Sequence, residues 1–430
     1  MNFLQNYTKI VNSIKNKKNS LYSIIFIVIS CILFLFFAVG LVQNPFGPQR
    51  QIFYLGTDGF FGDFLFGIYI YNDRDPYSGK VVSIYFPLSY MILNFFSKLD
   101  DYGEMTYGQV TNSKMAILSG FFLIGFSVSL LYISLIKIAR KYHVSPFVLV
   151  SIFLSSVFFC AIERGNLIIL SAASVGFFIC YYDSKKTHER ILAAICLALA
   201  AVLKITPVFF GFLYFQKKQY REMFLSAIIA ILLAFLPFLY FKNGFDNVQY
   251  LINVYRSTMQ GGPPDNWYTI IEMGPQLSPS HTVQVISILL ELSYETITLL
   301  YNFIKKITYL LIFITILFSF LTKTKYLKIS LLSMVVAFFP GINTYYVGLY
   351  LFPMIIIFFS GMEKRSKLFN VFTLVIFLVF LNPYQIAVIY YMNITFLFTN
   401  IALTVFWLVL LMCSGMQIVT NFRNRKVVYA

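Results

Sequence analysis

Residues 22–42 read YSIIFIVISCILFLFFAVGLV, an unbroken run without a charge. At about 1.5 Å of helical rise per residue such a run spans about 31 Å, the thickness of a bilayer's hydrocarbon core. A secretory signal has a shorter apolar region, about 7 to 15 residues, followed by a small-residue cleavage site. Gln43-Asn44-Pro45-Phe46 is a poor cleavage site, and the run follows a basic stretch holding Lys9, Lys15, Lys17 and Lys18. It therefore reads as a retained first span behind a cytoplasmic tail, residues 1–21.

The rest of the chain repeats this character. Of its 430 residues 59% are hydrophobic and 12% charged, whereas a soluble domain carries roughly 25% charged residues. Lipid is the solvent that fits so few charges. Further apolar runs fall near 114–136, 146–161, 166–182, 190–203, 205–215, 223–241, 305–321, 328–342, 345–361, 367–381 and 395–416. The predicted fold class is an all-α polytopic membrane protein with about 12 transmembrane helices (11–13). It forms a single membrane-embedded domain over 1–430, with short helical hairpins and two large outer loops at 43–113 and 242–304.

The cations set the orientation. With the N-terminus cytoplasmic, 22 of the 33 Lys and Arg lie in the tail and in every second loop, and 13 of the 17 acids lie on the other side. This is the positive-inside pattern, and it puts both termini in the cytoplasm. It also holds only if the apolar stretch 84–99 does not span, so that stretch is read as re-entrant or interfacial. Richness in Lys, Asn, Ile, Phe and Tyr points to a bacterium of low GC content, and hence to its inner membrane.

The net charge of +16 needs no nucleic acid, because the cations sit in short clusters between apolar runs rather than on a soluble basic face. Cys31, Cys160, Cys180, Cys196 and Cys413 lie in or at the ends of apolar runs, with no metal spacing, and read as small apolar residues. His143, His188 and His281 are too scattered for a zinc site. No oxygen-ligand cluster for a divalent metal is legible, and no cofactor is expected.

The polar residues left on the outer side are the candidates for chemistry. Asp58 and Asp63 stand among glycines and aromatics just past the first span. They read either as loop solvation and helix capping or as a general base for an acceptor hydroxyl. Asp75-Pro76-Tyr77 reads as a turn or helix start. Glu163-Arg164-Gly165-Asn166 holds either an internal ion pair or a guanidinium fork for phosphate. Lys204, before Ile205-Thr206-Pro207, either snorkels to outer headgroups or serves a membrane-depth site. Arg256 and the turn-rich Gly261–Tyr268, with Asn266, lie in the second outer loop. There Trp267 and Tyr268 are interface anchors or sugar-stacking platforms. Tyr345, in the outer turn after Pro340, either lines a shared cleft or merely connects spans.

These motifs resemble glycosyltransferase family 87, polytopic enzymes of the C-type architecture. The resemblance rests on Gly62-Asp63-Phe64, Asp75-Pro76-Tyr77 and Tyr85-Phe86-Pro87-Leu88, then Glu163-Arg164-Gly165-Asn166 and Lys204-Ile205-Thr206-Pro207. Their order and spacing match over roughly residues 20 to 360. The resemblance implies an inverting glycosyltransferase working on the outer face. Its donor would be a polyprenyl-phosphate sugar, often mannose, delivered within the membrane lipid. Its acceptor would be a glycan or glycolipid. It puts the base on Asp63, with Asp58 competing, and the phosphate on Lys204, Arg164 and Arg256. Glu163, Asn166, Asp75, Tyr77, Asn266 and Tyr345 are expected to bind substrate. The turn Gly341–Tyr346 lacks the Ser-Pro and His common there.

Rival readings predict other patterns. A polysaccharide polymerase or ligase favours outer loops rich in Arg, whereas outer Arg is limited to Arg50, Arg74, Arg164 and Arg256. A transporter or flippase puts charges in the middle of spans and shows paired broken helices, whereas the spans here have almost no central charge.

Overall fold

A computed structural model describes residues 21–39, 60–71, 76–77, 85–260, 277–339, 344–361, 363, 365–382, 388–389 and 392–428. Among the described residues helices dominate, and the one strand pairing is antiparallel, Val388–Ile389 with Met392–Asn393. Among the described residues five helices are long and apolar enough to cross a membrane: α1 (Leu21–Val39), Lys114–Lys141, Tyr220–Tyr240, Tyr294–Leu321 and Leu397–Asn421. Shorter apolar helices run over Ile168–Tyr181, Tyr345–Phe358 and Lys367–Leu381. The protein is thus an all-α, multi-pass membrane protein.

At the centre α5 (Lys114–Lys141), α8 (Ile168–Tyr181) and α9 (Thr187–Leu203) pack side by side. In lipid, helices associate where small residues let their backbones approach. The sequence supplies such residues: Ser171, Ala172, Ala173, Ser174 and Gly176 are buried on α8, and Ala193, Ala194, Ala198, Ala200 and Ala201 on α9. A Cβ on Gly176 would collide with the Ser134 hydroxyl of α5. Ser171 Oγ donates to the Ala200 carbonyl at 2.9 Å and accepts from Tyr350 at 2.7 Å.

Several apolar runs are not single helices. The run 146–161 is divided into α6 (Val148–Phe153) and α7 (Ser156–Arg164). The break falls where the Ser155 hydroxyl accepts from the Phe158 N–H at 3.3 Å and caps the second piece. The run 205–215 is a 3₁₀ turn, Thr206–Gly211, followed by the one-turn helix α10 (Phe212–Gln216). The run 345–361 likewise starts as a 3₁₀ segment, Tyr345–Leu351. Among its described residues the expected first outer loop contains three α-helices, α2 (Gly62–Ile70), α3 (Pro87–Ser97) and α4 (Tyr107–Asn112). Within the stretch 84–99 only Pro87–Ser97 is helical, about 17 Å of rise. It packs on α2, α9 and α11 (Tyr220–Phe235). In the expected second outer loop α12 spans Asn247–Gln260 and α13 spans Pro279–Leu289. The next helix then begins at Tyr294, well before the apolar run at 305.

The core helices have two distinct ends. At one, α7 runs into α8 and α9 runs into its 3₁₀ turn. At the other, Asp183 bridges Lys141 at 2.6 Å and Lys325 at 2.5 Å, and Arg190 pairs with Glu222 at 2.7 Å.

Candidate active site

The first of these ends gathers residues that lie far apart in sequence. Asp63 sits in the first turn of α2, whose preceding residue, Phe61, has a left-handed backbone with φ 67°. The Phe61 N–H donates to the Glu163 carbonyl at 2.6 Å. This bond ties the start of α2 to the end of α7. Gly165 closes α7 with φ +63°, donating to Ile162 at 2.9 Å while Asn166 donates to Ala161 at a longer 3.5 Å. That is a Schellman ending, for which glycine is preferred. Gly165 is also required by space: a Cβ there would lie 3.0 Å from Phe61 Cα and Phe64 Cβ. The Glu-Arg-Gly-Asn motif is thus a tight hairpin seated against the Asp-bearing helix.

The hairpin delivers two donors to one carboxylate. Arg164 Nη2 donates to Asp63 Oδ1. Asn166 Nδ2 donates to Asp63 Oδ2 at 2.6 Å, while Asn166 Oδ1 accepts from the Ile168 N–H at 2.9 Å at the start of α8. Burial draws the Arg164 guanidinium down, but the Asp63 carboxylate outweighs it and holds Arg164 above its ordinary range. This carboxylate is directed by two donors and still 24% exposed.

Asn166 Nδ2 also lies 3.4 Å from the Tyr85 hydroxyl and 3.3 Å from the Tyr346 hydroxyl. Lys204 ends α9 in an extended conformation. Its Nζ donates to the Tyr85 hydroxyl at 3.0 Å and lies 4.3 Å from the Tyr85 ring centre and 5.7 Å from that of Tyr346. Asp63, Arg164, Asn166, Tyr85, Tyr346 and Lys204 therefore form one continuous network.

Other expected site residues lie elsewhere. Tyr345, expected to touch substrate, is buried in the core. Its hydroxyl donates to the Phe380 carbonyl and lies 3.0 Å from Ser156 Oγ. Its neighbour Tyr346 faces the network instead, because consecutive residues of a 3₁₀ segment point about 120° apart. Tyr77 is also buried, with its hydroxyl donating to the Tyr85 carbonyl at 3.2 Å. Glu163 is buried and contributes its backbone carbonyl to Phe61. Arg256 is exposed on α12, and no bond among the described residues joins it to the network. Asp58, Asp75 and Asn266 lie outside the described residues.

Fold and site together define an integral membrane protein with a charged, tyrosine-lined centre where its helical hairpins turn. Residues 114–342, more than half of the chain, match glycosyltransferase family 87, and the chain belongs to that family. It is accordingly a glycosyltransferase. No curated protein matches it. The matched stretch includes Arg164, Asn166 and Lys204, while Asp63, Tyr85 and Tyr346 lie outside it and join them through the contacts above.

Proposed function

We propose that this glycosyltransferase moves a hexose, with mannose the first candidate, from a polyprenyl-phosphate carrier to a lipid-linked or cell-surface glycan. Transfer inverts the anomeric centre and takes place at the outer face of a bacterial inner membrane, both termini lying in the cytoplasm. The observation that carries this reading is the network itself: a half-open carboxylate fixed by two donors, with an ammonium group three hydrogen bonds away through Asn166 and Tyr85.

Asp63, fixed in place by Arg164 and Asn166, takes the proton of an acceptor hydroxyl. That oxygen attacks the anomeric carbon. The bond from this carbon to the phosphate oxygen breaks, and its electron pair leaves on polyprenyl phosphate. Lys204 faces the added negative charge, a role that strengthens as the bond breaks. Arg164 acts through Asp63, to which it donates from Nη2. Asp58 remains the competing base.

The test is transfer of radiolabelled hexose from polyprenyl-phosphate donors by the full chain reconstituted in vesicles. Asp63→Asn should lower turnover by about 100-fold or more. The reading fails if wild type transfers from no such donor, or if Asp63→Asn and Asp58→Asn both keep the full rate.

A further inference from the structure

Tyr85 is held in an unusual way. Its backbone N–H donates to the Tyr90 hydroxyl at 3.1 Å, and its carbonyl accepts from the Tyr77 hydroxyl at 3.2 Å. Both supporting phenols are buried, and their rings pack edge to face at 5.5 Å. Tyr77 packs further on Phe238 at 5.4 Å. Two tyrosines thus fix the backbone of a third.

The third hydroxyl has a polarity set by its neighbours. Lys204 Nζ and Asn166 Nδ2 approach the Tyr85 oxygen at 3.0 and 3.4 Å. An ammonium and an amide nitrogen only donate. The Tyr85 oxygen therefore accepts from both, and its own hydrogen can go to neither. No other hydrogen-bond partner meets this hydroxyl among the described residues. A positioned phenol with an uncommitted hydrogen, next to a cation and one amide away from Asp63, is arranged to donate to an anion.

On the glycosyl-transfer reading above, we infer that Tyr85 donates this hydrogen bond to the phosphate oxygen that gains charge as the sugar departs. The donor is a phosphodiester with one negative charge, and the product is a phosphomonoester with up to two. A hydrogen bond to that oxygen is stronger after cleavage than before it, so it favours the transition state over the bound donor. Tyr85 keeps its proton throughout. The sugar-to-phosphate bond breaks, and the acceptor's proton goes to Asp63.

The experiment compares wild type with Tyr85→Phe in vesicles, measuring turnover, donor KM and inhibition by polyprenyl phosphate. Tyr85→Phe keeps the ring over Lys204 and removes only the hydroxyl. Turnover should fall about 10- to 100-fold with donor KM within about 3-fold, and polyprenyl phosphate should inhibit about 10-fold less well. Tyr77→Phe, which unpins the Tyr85 carbonyl but leaves its hydroxyl, should give a smaller loss of the same inhibition and covers the case in which Tyr85→Phe does not fold. Unchanged turnover and inhibition in a folded Tyr85→Phe, or unchanged inhibition in Tyr77→Phe when the first variant is unfolded, would overturn the inference while leaving glycosyl transfer intact. A wild type that neither transfers from nor binds polyprenyl phosphates removes the underlying reading instead.

Discussion

Asn166 commits every polar atom of its side chain: the oxygen starts α8, and the amide nitrogen serves Asp63, Tyr85 and Tyr346. Replacing it by the isosteric Asp keeps the shape but puts an oxygen 2.6 Å from Asp63 Oδ2. Two carboxylates at that distance cannot both ionise, so one is raised above the ordinary value of about 3.9. The sign follows from that rise. The shared proton stabilises the variant fully below about pH 4, and the benefit is lost as pH climbs through the raised value. Asn166→Asp should therefore melt progressively earlier than wild type between about pH 4 and about pH 7, whereas Asn166→Ala should show a pH-independent deficit. Thermal unfolding in detergent across that range decides it, and parallel curves for the two variants would refute it. The same residue shows how far the site was legible. Asp63, Arg164, Asn166 and Lys204 stand out because polar residues interrupt apolar runs. Tyr85 and Tyr346 do not, being two of 31 tyrosines in an aromatic chain. Nothing in the adjacent pair Tyr345-Tyr346 tells which hydroxyl turns inward, since that depends on the phase of a 3₁₀ segment fixed by distant packing.

Among the elements, the α7–α8 hairpin holds the narrowest tolerance. Gly165→Ala would force a side chain into a left-handed conformation, at about 1 kcal/mol or more. It would also push a methyl group against the Phe61 backbone 3.0 Å away. The relief is for α7 to move off α2, which separates Asp63 from both of its donors. Gly165→Ala should therefore lose both stability and transfer. Gly211→Ala is the control: its backbone is helical and its added methyl would meet Leu197 at an ordinary 3.5 Å, so it should be neutral or stabilising by about 0.4–1 kcal/mol. Comparing melting and turnover of the two variants tests this, and equal loss in both would sink it. Element boundaries were legible where lipid demands an unbroken apolar run, as in Lys367–Leu381, which lies where the sequence put it. They were not legible where protein surrounds the chain. The break at Leu154-Ser155 has neither Gly nor Pro, and only a serine cap marks it. The short helices α2, α3 and α4 lack the length to announce themselves, and α2 and α3 pack in part on α7, α9 and α11, which are remote in sequence.

Across the whole molecule, the network around Asp63 and the one around Asp183 lie at opposite ends of α8 and α9, about 21 to 26 Å apart along those helices. Asp183 joins the end of α5 to Lys325, at the start of Lys325–Phe338. Burial pushes its carboxyl up, but Lys325 and Lys141 outweigh that and hold it below the ordinary carboxylate value. Its contribution is therefore present above about pH 4, the unfolded value, and is lost as pH falls through the lower folded one. Asp183→Asn leaves two ammonium groups facing each other without their shared counter-ion. The pair is partly exposed, so a loss of about 1 to 3 kcal/mol is expected rather than the larger figure for fully buried charges. The variant should also lack the part of wild type's acid sensitivity that falls below about pH 4. Because its charge is so far from Asp63, the fraction of Asp183→Asn that stays folded should transfer sugar at the wild-type rate, with the same Tyr85-dependent inhibition by polyprenyl phosphate. Unfolding midpoints against pH, read beside turnover per folded molecule, separate the two ends of the protein. A fall in turnover that outpaces the loss of folded protein would mean that the basic end and the reaction centre are mechanically coupled through α8 and α9.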